Sequence, residues 1–171
     1  MSEQVILVDK DDNEVGQKEK LAAHEAGDLH RAFSIILLNS KGQMLIQKRA
    51  ANKYHCPGLW TNACCSHPRP GESIMDAAHR RLPEELNTDS VLRKLFTFQY
   101  KAEFENGLIE HEFDHVLLGF LNEGPVPNPA EIAAVRWIDR ELLMEEIGEN
   151  ETGYTPWFLL ILKELEAQKI W

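Results

Sequence analysis

The 171-residue sequence contains only three cysteines, two of them adjacent at Cys64 and Cys65. That is a poor basis for a disulfide framework, and it fits a reducing compartment. Positive charge is also scarce, with 18 Lys and Arg against 28 Asp and Glu and a formal charge of −10. Nucleic acids and anionic membrane surfaces select basic patches, so neither is expected as the main partner. An anionic substrate would need metal ions and local Lys or Arg. No signal peptide, no apolar run of membrane-spanning length and no lipidation motif is visible, which makes the cytoplasm the expected address. Internal repeats and low-complexity segments are absent too. A hydrophobic content of 43% over this length suits one domain, residues 1–171, with a proper core.

The apolar pattern predicts a mixed α/β chain. An apolar run at 5–8, the polar turn 9–13 and a second strand near Val15 form an N-terminal hairpin. Residues 21–27 make a brief helical or irregular segment, which places His24 just before a strand starting at His30. The continuous apolar run 33–38 is that of a centrally buried strand, and residues 39–42 turn it into a strand over 43–49. A loop over 51–58 then leads to Leu59 and Trp60. Strands over 95–104 and 108–121 pair about Asn106-Gly107, a Pro-rich connection covers 124–129, and a last strand covers 131–138. Asp139 is positioned to cap a short helix through Ile147. Thr155-Pro156 sets a capping hydroxyl before a proline at the first helical position, opening an amphipathic helix to about Gln168.

The stretch 60–86 concentrates the reactive groups: Cys64, Cys65, His67, Glu72, Glu84 and Glu85. At about 100° per residue, Ile74, Ala77, Ala78, Leu82 and Leu86 form one apolar stripe, and Arg81 and Glu85 fall inside it. A carboxylate on a buried face needs a cation or several donors, and Arg81 is four residues from Glu85. Those two residues make either an internal ion pair or part of a metal or diphosphate site. Pro83 has no N–H for the carbonyl of His79, so a kink is expected there, on the outward face. If 64–67 is extended, Cys65 shares a face with His67 and Cys64 does not. A Cys–His hydrolase is one reading of that pair, although no oxyanion loop or orienting Asn or Asp accompanies it. His24, His30 and His67 lie in separate segments, and single histidines are usually structural or solvated. Glu110 and Glu112 point to one face of their strand about 7 Å apart, either bracketing a cation or facing solvent.

From 66 to 88 the chain resembles the Nudix box, with Glu72, Arg80, Leu82, Glu84 and Glu85 on matching positions. Ser66, Arg81 and Asn87 stand where the box has a glycine, a carboxylate and a glycine. The flanking TNACCSHP (61–68), AAHEAGDLHRAFS (22–34) and GLIEHEFDH (107–115) make nearly the whole chain similar to the type I isopentenyl-diphosphate isomerases, which are Nudix-fold enzymes. The resemblance implies a single-domain α/β/α Nudix sandwich with a mixed sheet, an α+β fold. It also implies a metal site of His24, His30, His67, Glu110 and Glu112, with Zn2+, Mn2+ or Mg2+ all conceivable. Glu85 would hold a Mg2+ against the diphosphate of a small-molecule substrate, and Lys20, Arg49, Lys53 and Arg81 would bind that diphosphate. Glu112 with Tyr100 would deliver a proton to the terminal alkene carbon, Cys65 would remove one on the diphosphate side, and Trp157 would face the cation between. A Nudix hydrolase of a nucleoside diphosphate derivative and a metal-binding protein with a decayed site are the competing readings. The hairpin separates two registers: a two-residue Asn106-Gly107 loop pairs Lys101 with Glu112, whereas a three-residue loop closing at Phe104 and Leu108 pairs Tyr100 with Glu112. The chemistry requires the second, with Gly107 left-handed as a bulge.

Overall fold

The apolar run 33–38 becomes the middle of β3 (His30–Leu38), buried from Ala32 to Leu38 in the computed structural model, which describes residues 3–171. Met1 and Ser2, the start of the expected 1–171 span, lie outside the described residues. Around β3 the sheet is mixed. Its parallel neighbour is β8 (Ile109–Phe120), and β6 (Cys64–Ser66) runs antiparallel to it. β1 (Gln4–Val8) and β2 (Glu14–Glu19) form the expected N-terminal hairpin at one side. On the other, β4 (Met44–Arg49) joins β3 to β5 (Trp60–Asn62) and β9 (Ile132–Ile138).

Strand alternation fills both faces of the sheet. Ile35 and Leu37 pack with Ile74, Ala77, Ala78, Leu82 and Leu86 of α2 (Ile74–Leu86). Ile36 and Leu38 pack on the opposite side with Trp157, Phe158, Ile161, Leu162 and Leu165 of α4 (Pro156–Ala167). Each fully buried Ile or Leu contributes about 1.5–3 kcal/mol, so two such layers fix the sandwich. The remaining helices are α1 (Lys20–Ala26), which carries His24, and α3 (Arg140–Glu149), followed by a single 3-10 turn, Glu151–Gly153. Among the described residues, no helix is long and apolar enough to cross a membrane.

Three local expectations need correction or refinement. α2 continues through Pro83 to Leu86 as one helix, with the proline exposed on its outer side. It closes at Asn87, whose φ of 50° is left-handed and whose N–H reaches the Pro83 carbonyl at 3.1 Å. After glycine, asparagine is among the residues that best tolerate that conformation, which accounts for Asn87 at a glycine position of the box. Asp139 and Thr155 do occupy N-cap positions, yet neither side chain caps its helix. Asp139 instead accepts from Gln43 Nε2 at 3.2 Å, and the buried Thr155 hydroxyl donates to Thr61 Oγ1 at 2.8 Å. Partners distant in sequence have taken both groups.

β7 (Arg93–Glu103) and β8 settle the register. Phe104 N–H donates to the Leu108 carbonyl at 2.9 Å, Gly107 has φ 81°, and Tyr100 stands opposite Glu112. A Cβ on Gly107 would meet nothing within 4 Å, so the backbone angle alone asks for glycine there.

Candidate active site

Parallel pairing of β3 with β8 sets His30 beside Glu112. α1 brings His24 to His30, with ring centres 4.8 Å apart, and the end of β6 brings His67 to within 5.0 Å of His30. One donor atom each from His24, His30, His67 and Glu112 lies within 4.8 Å of the other three. The Nδ1 atoms of His24 and His30 bond the carbonyls of Lys20 and Asp28 at 2.6 and 2.8 Å. Nδ1 must therefore be the protonated nitrogen, and each Nε2 turns a lone pair into the cluster. Those two Nε2 atoms are buried without a hydrogen-bond partner, as is His67 Nδ1. Burial pushes His24 down to about 4 and His67 down to about 3, so both imidazoles are neutral at pH 7. Fixed imidazoles that each keep a buried, unpartnered nitrogen beside a carboxylate suit a divalent cation. Glu110, expected in the same set, falls instead into a second group with His24 and His55. In the sequence His55 stands out only as a member of the loop over 51–58.

The Tyr100 hydroxyl joins the two glutamates, lying 2.6 Å from Glu112 Oε2 and 3.0 Å from Glu110 Oε2. Although burial works against its charge, the neighbouring imidazoles, His67 bonded at 2.9 Å and His30 at 3.5 Å, hold Glu112 well below the usual carboxylate range. Burial and the charge of Glu112 push Glu110 well above it. The pair thus keeps one proton, and the tyrosine adds another that burial holds firmly in place.

Cys65 and Cys64 part as the alternation predicts. Cys64 is fully buried against α2, whereas Cys65 lines the cavity that Tyr100, Glu110, Glu112 and Trp157 also line. The Cys65 sulfur receives the Trp157 indole N–H at 3.1 Å and gives its own proton to Asn62 Oδ1 at 3.0 Å. Burial, with the Asp114 carboxyl nearby, pushes this thiol up to about 12. The amide of Asn62 is anchored by the carbonyls of Ile35 and Cys64 at 3.2 and 2.9 Å, so its oxygen has one orientation. This residue was not singled out in the sequence, although it lies within TNACCSHP.

Lys20, Arg49, Lys53 and Arg81 all border the same cavity. Lys20 pairs with Glu3 at 3.0 Å and Lys53 with Glu131. Arg49 bonds the His55 carbonyl at 3.1 Å and lies over the Trp157 ring, 5.4 Å from its centre. Arg81 reaches Glu84 at 2.6 Å and Glu85 at 2.5 Å, so the inward pair on α2 is an ion pair. Glu85 is 4% exposed and lies behind Arg81 rather than on the cavity wall. Glu72 and Arg80, from the box, clamp the loop before α2 through bonds of 2.7 and 2.9 Å. Glu3 and Glu131, the carboxylates that neutralise the cavity lysines, carried no signal in sequence spacing.

The family model described as NUDIX domain matches residues 28–158. An isopentenyl-diphosphate Delta-isomerase from Serratia proteamaculans is 46% identical over 99% of this chain and 95% of its own. One from Burkholderia multivorans is 49% identical over 92% of this chain and 90% of its own. Among solved structures, DR0079 from Deinococcus radiodurans superposes with a TM-score of 0.72 at 26% identity, covering 86% of this chain and 90% of that one. The MutT protein from Methanosarcina mazei has a TM-score of 0.66 at 17% identity over 82% and 95%, a likeness of fold alone.

Proposed function

The chain belongs to the NUDIX-domain family and, within it, to the isopentenyl-diphosphate isomerases, and from that premise we propose how its side chains divide the reaction. The enzyme interconverts isopentenyl and dimethylallyl diphosphate. No bond to phosphorus is broken, which agrees with Arg81 at a position where the Nudix box has a carboxylate.

The terminal alkene carbon takes a proton from the Tyr100–Glu112 pair, leaving a tertiary cation. Cys65, acting as the thiolate, then removes a proton from the methylene between that cation and the oxygen-bearing carbon, becoming the thiol that bonds Asn62, and the double bond forms there. Catalysis by such positioned groups is general acid–base catalysis. Trp157 faces the cation with its π-cloud and steadies the sulfur with its N–H. Lys20, Arg49, Lys53 and Arg81 hold the diphosphate, which displaces Glu3 and Glu131 from the lysines. Glu85 would hold a Mg2+ that screens that diphosphate. His24, His30, His67, Glu110 and Glu112 would hold a second divalent ion, Zn2+, Mn2+ or Mg2+, whose charge would lower the proton affinity of the carboxylates. A reducing cytoplasm suits the three free thiols.

The observation that most supports this reading is the pairing of a tyrosine–glutamate acid with an indole-bonded thiol on one cation-rimmed cavity. The test is to incubate the purified enzyme with radiolabelled isopentenyl diphosphate and count acid-labile allylic product, beside a phosphate-release assay on nucleoside diphosphate derivatives. Allylic product without phosphate release is expected; phosphate release without allylic product would overturn the assignment.

A further inference from the structure

His55 has no part in the chemistry described so far. It precedes β5 in a loop, yet it is 7% exposed, and its Nε2 contacts Glu110 Oε1, the oxygen that Tyr100 leaves free. The imidazole stacks on His24, with ring centres 5.5 Å apart and planes 24° from parallel, and on Phe104 at 5.7 Å and 22°. Trp157 adds an edge contact at 6.1 Å, so the ring is held on several sides. Its Nδ1 is buried with no partner.

Donor atoms of His24, His55 and Glu110 lie within 4.8 Å of one another, as do those of His24, His30, His67 and Glu112. The two groups share His24, and His24 has one lone pair to give, because its Nδ1 is committed to the Lys20 carbonyl. Two ions cannot both take that nitrogen. The groups adjoin through His24 and through the Tyr100 hydroxyl between the glutamates, so an ion taken by His24 lies next to both, and the two sets can close on it together.

We infer that His55 is a further ligand of the metal centre, so that a single divalent ion draws on four imidazoles together with Glu110 and Glu112. This rests on the metal-dependent reading given above. Four nitrogen donors favour a borderline transition ion over Mg2+, which prefers oxygen and retains water.

Co2+ is the probe, titrated into metal-free wild type, His55→Ala and His55→Gln, with stoichiometry, affinity and visible spectrum read together. The expected result is one Co2+ per wild-type chain. Both variants should bind at least about tenfold more weakly, since even outer contacts of a metal site carry that much. Both should also shift the visible bands; the metal-free melting temperature of His55→Gln should stay near that of wild type, whereas His55→Ala also loses the packing of the ring and melts lower. Glutamine keeps an N–H for Glu110, so wild-type affinity and spectrum in His55→Gln would make His55 only a hydrogen-bond donor and overturn the inference. Two ions per chain would overturn it as well. No binding by wild type would instead defeat the metal-dependent reading itself. Independently of any variant, the Co2+-loaded wild type should show four hyperfine-shifted, exchangeable imidazole N–H resonances; three would overturn the assignment.

Discussion

Tyr100→Phe removes one oxygen from the centre of the proposed acid and leaves the ring in place. That ring is stacked on Phe98 at 5.5 Å and lies 6.5 Å from Trp157, contacts that phenylalanine keeps. The loss is the hydroxyl bonded to Glu112 at 2.6 Å and to Glu110 at 3.0 Å. A hydrogen bond to a charged partner is worth about 1.5–3 kcal/mol. If that bond holds the transferred proton, the barrier rises by a similar amount and turnover falls between roughly tenfold and a hundredfold or more. KM should change little, because none of the four cations assigned to the diphosphate touches this hydroxyl. Steady-state kinetics, metal content and melting temperature on one preparation separate the possibilities. Turnover within a factor of two of wild type at full metal content would refute the role. A rate loss that tracks metal loss would refute it too, since the tyrosine would then only support the carboxylates.

Cys65→Ala should abolish isomerisation while fold and diphosphate affinity survive, whereas Cys64→Ala should keep most activity and lose about 1 kcal/mol of stability from the α2 face of the core; equal, near-complete losses without unfolding would show the division to be mistaken. Trp157→Phe removes the donor 3.1 Å from the Cys65 sulfur and should lower turnover about tenfold at unchanged KM; unchanged turnover takes Trp157 off the list. His67→Ala should lower metal content and activity together, measured by elemental analysis and assay, and full metal retention would contradict its place in the centre. The Arg80 guanidinium holds Glu72 below its usual range, so the stability it adds is present above about pH 4.5 and is lost as pH falls through the lowered value. Glu72→Gln should cost about 1 kcal/mol at pH 7, and the gap from wild type should narrow progressively as pH falls below about 4.5 in denaturant titrations; a gap that does not narrow with falling pH refutes the link.

What could be read in advance depended on whether the deciding contact was local. The run 33–38 had to be buried on both faces, and the structure divides it between α2 and α4 as strand alternation requires. The hairpin register followed from turn chemistry, since glycine supplies the left-handed residue that sets Tyr100 opposite Glu112. The caps failed for the opposite reason: Thr155 and Asp139 have suitable side chains, but Thr61 and Gln43 compete for them from across the fold. His55 had no periodicity, no spacing and no matching motif, and only the fold brings its ring to Glu110.

The division between α2 and β8 carries the argument about chemistry one step further. On α2, Arg81 takes both Glu84 and Glu85, so the two box carboxylates are engaged by a guanidinium at the edge of the cavity. A helix in that state turns a guanidinium, rather than a free carboxylate, toward a diphosphate, which favours holding the group over attacking it. On β8, Glu110 and Glu112 meet imidazoles and a phenol instead of guanidinium. Groups of that kind can share and pass a proton, whereas an arginine partner would fix the carboxylates as anions. In the proposed mechanism the carboxylates that move protons lie on the strand, beside the thiol, and the helix anchors the diphosphate. Such an exchange of roles within one fold would turn a frame suited to phosphate chemistry into one suited to carbon.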